Sequence, residues 1–124
     1  MKKQKIGRLL IWFLGGIFVL SALVKFSGVG QMTDMFVSWG LYGWLIPIAA
    51  IELLAGGLLL FDTTWLYGSW LLSAYLGGAI ATHLIHGELT MLLLPAVLLV
   101  VLWIGTFLRQ PQSMVFIGRV EPRN

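Results

Sequence analysis

The sequence predicts an all-α integral membrane protein, a four-helix bundle of up-down-up-down topology, and three observations carry that prediction. The 124 residues are 59% hydrophobic and 10% charged, with a mean hydropathy of +0.93, whereas a soluble domain carries roughly 25% charged residues. Four apolar runs each approach the ~20 residues that cross a bilayer as helix. The connections Asp62-Thr63-Thr64 and His86-Gly87-Glu88 are so short that the runs they join must be antiparallel neighbours.

The first span covers about 7–27. Its uninterrupted core, Leu9 to Val24, extends through Lys25 and Phe26 to about 27 Å of helix at 1.5 Å per residue. The run is long for a signal peptide and no small-x-small pair precedes Lys25, so it is read as a retained span. A longer connection follows, in which Met32-Thr33-Asp34-Met35-Phe36-Val37 has helix-start chemistry and amphipathic character and Gly40 would end it. A short interfacial helix is expected there. The second span covers about 41–61, is broken only by Glu52, and is expected to kink at Pro47. The third covers about 64–85 and the fourth about 89–108, with Pro95 as a second expected kink. Residues 1–109 thus form one transmembrane domain, and 110–124 a short polar, basic cytoplasmic tail.

Charge placement sets an orientation. Lys2, Lys3, Lys5, Arg8, Arg109, Arg119 and Arg123 fall on the side of both termini if four spans cross, and only Lys25 falls towards the other. The positive-inside rule then puts both termini in the cytoplasm. Trp39, Tyr42 and Trp44 would mark the outer interface and Trp12, Trp65, Tyr67 and Trp103 the inner one. Because the cations cluster at the ends, nucleic acid is not expected as a partner. Membrane lipid is. The absence of cysteine removes thiolate nucleophiles, thiolate-held iron–sulfur clusters and covalent c-type haem.

Gly15-Gly16, Gly56-Gly57 and Gly77-Gly78 place small pairs inside three spans, where they would let helix backbones approach. The costliest residues are Lys25, Glu52 and His83, since a charge at mid-membrane costs about 2.5–3.5 kcal/mol on insertion scales. Lys25 lies near the outer end of the first span, Glu52 near the middle of the second and His83 near the outer end of the third. Lys25 and Glu52 therefore differ by about 10 Å in depth at 1.5 Å per residue. Helical side chains lean towards their own N-termini, which brings Lys25 and His83 inward and Glu52 outward. All three are expected to converge on one polar cavity with Glu52 as its floor, supplemented by Ser21 and Thr82. Lys25 has the alternative of snorkelling to headgroups and His83 that of bonding a backbone carbonyl. Glu52 has no such escape. His83-x-x-His86-x-Glu88 is the only metal-like spacing. It reads more simply as a solvated turn, so no metal site is predicted.

Three stretches give the chain a family resemblance: Trp44-Leu45-x-Pro47-x-x-Ala50-x-Glu52-Leu53-x-x-Gly56-x-Leu58-Leu59, Tyr75-Leu76-Gly77-Gly78-Ala79-x-Ala81-Thr82-His83, and Leu102-Trp103-x-Gly105-x-x-Leu108-Arg109. Over Arg8 to Arg109 the chain resembles the DoxX-like family of small bacterial membrane proteins. The resemblance implies a four-helix membrane bundle in the bacterial inner membrane, and Lys25, Glu52, Gly77, Gly78 and His83 as recurrent family positions. It further implies a quinone-facing accessory role beside redox-enzyme partner subunits, with quinone as the cofactor class, and assigns no catalytic residue. Two other readings stay open: a non-redox lipid or small-solute binder or transporter with a protonatable Glu52–Lys25 site, and a structural subunit whose polar residues join helices or protomers.

Overall fold

The computed structural model describes residues 2–110. Apart from Gln110, the tail expected over 110–124 lies outside the described residues. Five α-helices account for most of the described chain: α1 (Lys2–Phe26), α2 (Gln31–Ser38), α3 (Leu45–Leu59), α4 (Trp65–Ile85) and α5 (Leu89–Arg109). A 3-10 turn at Tyr42–Trp44 leads into α3. No strand occurs among the described residues.

A single stripe organises α1. Its buried residues include Gly7, Ile11, Leu14, Phe18, Ala22 and Lys25, at the alternating spacings of three and four that line up on one helix face. Lys25 therefore closes the same stripe that carries the core. In α3 the stripe runs Leu45, Ala49, Glu52, Ala55 and Leu59, so Glu52 is also a core position by register. The outward faces are equally apolar: Leu9, Phe13, Leu20, Leu54, Leu93 and Leu94 are exposed. Apolar residues on every side are what a helix facing protein on one flank and lipid on the other requires.

α1 packs chiefly on α3 and α5, and α4 packs on the same two helices. Ile11, Leu14, Phe18, Ala55, Leu59, Leu72, Leu76 and Leu102 fill the space between them. Thr106 of α5 donates to Ser69 Oγ of α4 at 3.2 Å, and both are fully buried. Such interhelical hydroxyl bonds add cohesion where apolar packing gives no preference for protein over lipid.

Among the described residues three segments are long and apolar enough to cross a membrane: Lys2–Phe26, Tyr42–Leu59 and Leu89–Arg109. α4 has 21 residues, about 31 Å of helix. Its Trp, Tyr, Gly, Ser, Thr and His residues dilute its apolar character, so the four equal spans expected from the sequence become three strong ones and a more polar fourth helix.

The glycine pairs behave differently from expectation. A Cβ at Gly15 would sit 2.9 Å from Gly56 O, and one at Gly56 would sit 3.0 Å from Gly15 O, so these two form the α1–α3 seam. At Gly16, Gly57, Gly77 and Gly78 a Cβ would meet nothing within 4 Å. These four do not form seams within the described chain: helical neighbours face about 100° apart, so only one of Gly15-Gly16 and of Gly56-Gly57 addresses the partner helix, and neither Gly77 nor Gly78 meets one. The missed seams are Gly7, where a Cβ would meet Gly105 O at 2.7 Å and the Arg109 backbone, and Gly68, where it would meet Leu59 N at 2.9 Å.

The prolines also divide. Pro47 lies in the first turn of α3, where its absent N–H is not called upon, so the expected reason for a kink there disappears. Pro95 stands inside α5 and removes one intrahelical bond. The short helix α2 ends in a Schellman cap, with Gly40 at φ 73° and with Gly40 N–H bonding Val37 O and Leu41 N–H bonding Phe36 O. The expected helix-start side chain is not used: Gly30 is its N-cap, with no side-chain cap bond.

Alanine at Gly7 or Gly15 must push backbones apart and should cost about 1–3 kcal/mol. At Gly16 the same change should be neutral or stabilising by up to about 1 kcal/mol through helix propensity. Thermal unfolding of the three variants in one detergent checks the order, and equal losses at Gly15 and Gly16 would contradict the seam.

Candidate functional site

Lys25 and Glu52 meet, as side-chain lean requires. Lys25 Nζ donates to Glu52 Oε1 and Oε2 at 2.9 Å each and to Ser21 Oγ at 3.0 Å. Those three bonds use all three ammonium hydrogens. Lys25 is 2% exposed and Glu52 1% exposed. Ser21 lies one turn before Lys25 on α1, so its hydroxyl stands beside the ammonium by helical register alone. The Tyr75 ring of α4 lies beside the pair, with Lys25 Nζ 6.0 Å from its centroid. The result is an enclosed clasp joining α1 to α3, with α4 against it.

His83 is not part of that clasp, and the single polar cavity expected from the sequence divides in two. The second part is an apolar cavity of about 390 Å3 between α2, α3 and α4, lined among others by Phe36, Trp39, Ile48, Ile51, Tyr75 and His83. Neither Lys25 nor Glu52 lines it. Its size lies within the range of small-molecule sites. Gly78 and Thr82 form part of the α4 wall, and the Thr82 hydroxyl donates to Gly78 O at 2.8 Å. Tyr75 is the only residue named above that touches both the cavity and the clasp.

The polar end of the cavity is built by a helix cap. After α4, Gly87 adopts φ 72°. Gly87 N–H bonds Leu84 O and Glu88 N–H bonds His83 O at 2.9 Å, the paired bonds of a Schellman cap. This turn carries Glu88 back over His83, whose Nδ1 lies 3.0 Å from Glu88 Oε1. Trp39 Nε1 donates to the same oxygen at 3.1 Å. Trp39 also contacts the His83 ring edge-on at 5.3 Å and stacks on His86 at 5.4 Å. Trp39 is the cap residue of α2 and His86 that of α4, so two similarly built helix ends are pressed together over the cavity.

A carboxylate against Nδ1 selects the tautomer that carries hydrogen on Nδ1. His83 Nε2 is then the ring nitrogen left to act, and it makes no hydrogen bond among the described residues. It can accept from a hydroxyl when the ring is neutral and donate to a carbonyl when it is charged. His86 is oriented elsewhere, with Nδ1 2.8 Å from Thr82 O. Among the described residues no group of three His, Cys, Asp or Glu is arranged to hold a metal ion. Sequence reasoning singles out Lys25, Glu52, Ser21, His83 and Thr82 as site candidates; it reads Trp39 as a marker of the outer interface and Tyr75 only as part of the family resemblance, so neither is a site candidate there. The signal that finds Glu88 is the spacing His-x-x-x-Gly-x, where a cap glycine folds the following residue onto the histidine.

Replacing Lys25 by Met leaves Glu52 buried without its partner, which costs about 3–5 kcal/mol, whereas replacing both by apolar residues of similar volume is often near neutral. Lys25→Met should therefore unfold more readily than the double variant Lys25→Met with Glu52→Leu, as read by thermal denaturation in a fixed detergent. A double variant at least as unstable as the single one would show that the pair is not coupled.

Comparison with known proteins adds one finding. A model of the DoxX-like family matches residues 9–105. No curated protein and no solved structure matches the chain. The matched stretch contains α2, α3 and α4 whole and most of α1 and α5, and with them every residue of the clasp and the cavity. With most of its length covered and its helices apolar enough to cross a bilayer, the chain is a membrane protein that belongs to the DoxX-like family.

Proposed function

We propose that this protein is a four-span bundle of the bacterial inner membrane that binds a small hydrophobic ring compound, a quinone in the first instance, in the cavity between α2, α3 and α4. In this reading it serves as an accessory component of a membrane redox process beside partner subunits. The observation that carries the proposal is an apolar cavity with one histidine at its wall, whose Nδ1 is engaged by a carboxylate and whose Nε2 is unengaged. A quinone offers a flat apolar ring with oxygen at its edge, and the cavity offers aromatic and aliphatic walls with one polar contact. His83 would donate to a carbonyl oxygen in its charged form and accept from a hydroxyl in its neutral form, with Glu88 compensating the ring charge. Tyr75 would connect a bound ring to the Glu52 carboxylate. The fourth span rests on α4, which has membrane-crossing length, packs on α3 and α5, and contains no Asp, Glu, Lys or Arg.

The orientation with both termini in the cytoplasm gains support from the clasp. Lys25 was the one cation on the opposite side, and its charge is balanced by Glu52. The remaining Lys and Arg residues all lie towards the termini.

A structural reading of Lys25 and Glu52 is favoured over ligand binding by their enclosure and by the complete use of the ammonium hydrogens. This separates the binding residues, His83, Trp39 and Tyr75, from those that hold α1 to α3.

Titration of the purified protein with a short-chain quinone analogue tests the proposal. Gly78→Leu directs a side chain into open space at the cavity wall and should abolish binding while leaving thermal stability close to wild type. His83→Ala should weaken binding about tenfold, a loss of about 1.4 kcal/mol. Undiminished affinity in both variants would contradict the cavity as the site.

A further inference from the structure

A second cavity lies at the opposite ends of the helices, where α1 begins, α5 ends and the α3–α4 turn passes. It is about 770 Å3 in volume and its lining includes Lys5, Arg8, Asp62, Trp65 and Arg109. Three cations face one carboxylate. Lys5 and Arg8 are exposed and lie three residues apart on one face of α1. Between them sits Gly7, whose missing side chain allows α1 to rest against the backbone of Gly105 and Arg109. The same glycine therefore closes the helix seam and sets two exposed cations, Lys5 and Arg8, the latter 5.7 Å from the Trp12 ring centroid, beside a buried one.

Arg109 is the fixed one. It is 8% exposed, with its guanidinium 4.4 Å from the Trp65 ring centroid and Nη2 donating to Asp62 Oδ1 at 2.7 Å. Nη1 is buried and has no hydrogen-bond partner among the described residues. A buried charged donor without an acceptor is rare and costly. Electrostatics points the same way. The first turn of α1 contains no acidic residue, so the positive end of the helix dipole adds to Lys5 and Arg8 in place of being offset. Asp62 is 63% exposed at its side chain and already engaged with Arg109, so it neutralises one charge of three.

We propose that this cavity is a phosphate-binding site, with Arg109 as the fixed anchor and Lys5 and Arg8 as arms that close on a phosphate oxygen. The shared chemistry is a phosphate monoanion. It can be supplied by an anionic phospholipid headgroup at the membrane surface or by free phosphate, and guanidinium groups suit either by paired hydrogen bonds.

The full chain reconstituted in nanodiscs of phosphatidylcholine doped with phosphatidylglycerol tests the site, with retained lipid counted by native mass spectrometry with and without inorganic phosphate. Phosphatidylglycerol should be enriched roughly tenfold over its bulk fraction, in keeping with the attraction of a few basic residues to anionic lipid. Lys5→Gln with Arg8→Gln, both at exposed side chains, should remove that enrichment. Lys2→Gln with Lys3→Gln removes the same charge outside the cavity and should leave it intact. Loss of enrichment on adding inorganic phosphate identifies a site open to free phosphate, and persistence identifies a headgroup site, each consistent with the proposal. Equal loss in the two double variants would reduce the effect to diffuse surface charge and overturn it. So would the absence of any enrichment in the wild type.

Discussion

The Lys25 ammonium and the Glu52 carboxylate are bound to each other in the apolar interior, and their contact ties α1 to α3. Neither ion tolerates hydrocarbon alone, because the effective desolvation cost is several kcal/mol per ion even after relaxation. Their pairing fixes the rotation of α1 about its axis and the register of α1 against α3. Once that register is set, Gly15 faces Gly56 and the backbones close, Phe18 reaches Tyr75 at 6.4 Å, and the Lys25–Tyr75–Glu52 contacts bring α4 against the pair. A buried ion pair adds little net stability compared with well-packed apolar residues. What it contributes here is specificity of register among helices whose faces are nearly all apolar and therefore nearly interchangeable.

The same logic of local constraint builds the cavity. Glycine in the left-handed region at 40 and 87 ends two helices with the same pattern of bonds, and the residues carried to those ends meet. Trp39, His83, His86 and Glu88 come from segments distant in sequence or separated by a turn, yet each is placed by its cap geometry. The carboxylate of Glu88 is held by Trp39 Nε1 as well as by His83 Nδ1, so Trp39 fixes the group that orients the histidine. A histidine held in this way keeps a fixed ring orientation at the wall of the cavity, and that cavity is distinct from the clasp, whose Lys25 and Glu52 do not line it.

Much of this was legible in the residues. Helix boundaries followed from apolar runs and tight connections, to within a few positions except at the start of α1, where the helix continues outward through Lys2. The Lys25–Glu52 contact was legible because side-chain lean and helix direction are fixed by backbone geometry. The convergence of His83 on Glu52 was not. Side-chain lean allowed them to meet despite their different depths, while the choice between Glu52 and Glu88 depended on a turn whose closing bonds only appear with φ angles in hand. Glycine seams were half legible: the motif names a pair, but only the crossing of two particular helices decides which member is covered. Arg109 was read as a topology signal, and its burial on Trp65 beside Asp62 depends on Gly7, a residue with no marked pattern around it. α4 illustrates the remaining gap: of its polar and aromatic residues Tyr75, Thr82 and His83 line the cavity, while Tyr67 and Trp70 are exposed on its outer face.

The most direct measurement of the central contact is a dipolar-coupling experiment by solid-state NMR on protein in lipid bilayers, with 15N at the lysine side-chain nitrogen and 13C at the glutamate side-chain carboxyl. The chain should give one strong nitrogen–carboxyl coupling, assigned to Lys25 and Glu52 by its loss in Glu52→Gln, and unchanged in strength when a quinone analogue is present. A missing coupling, or one that collapses on adding the analogue, would contradict a closed clasp that stands apart from the cavity.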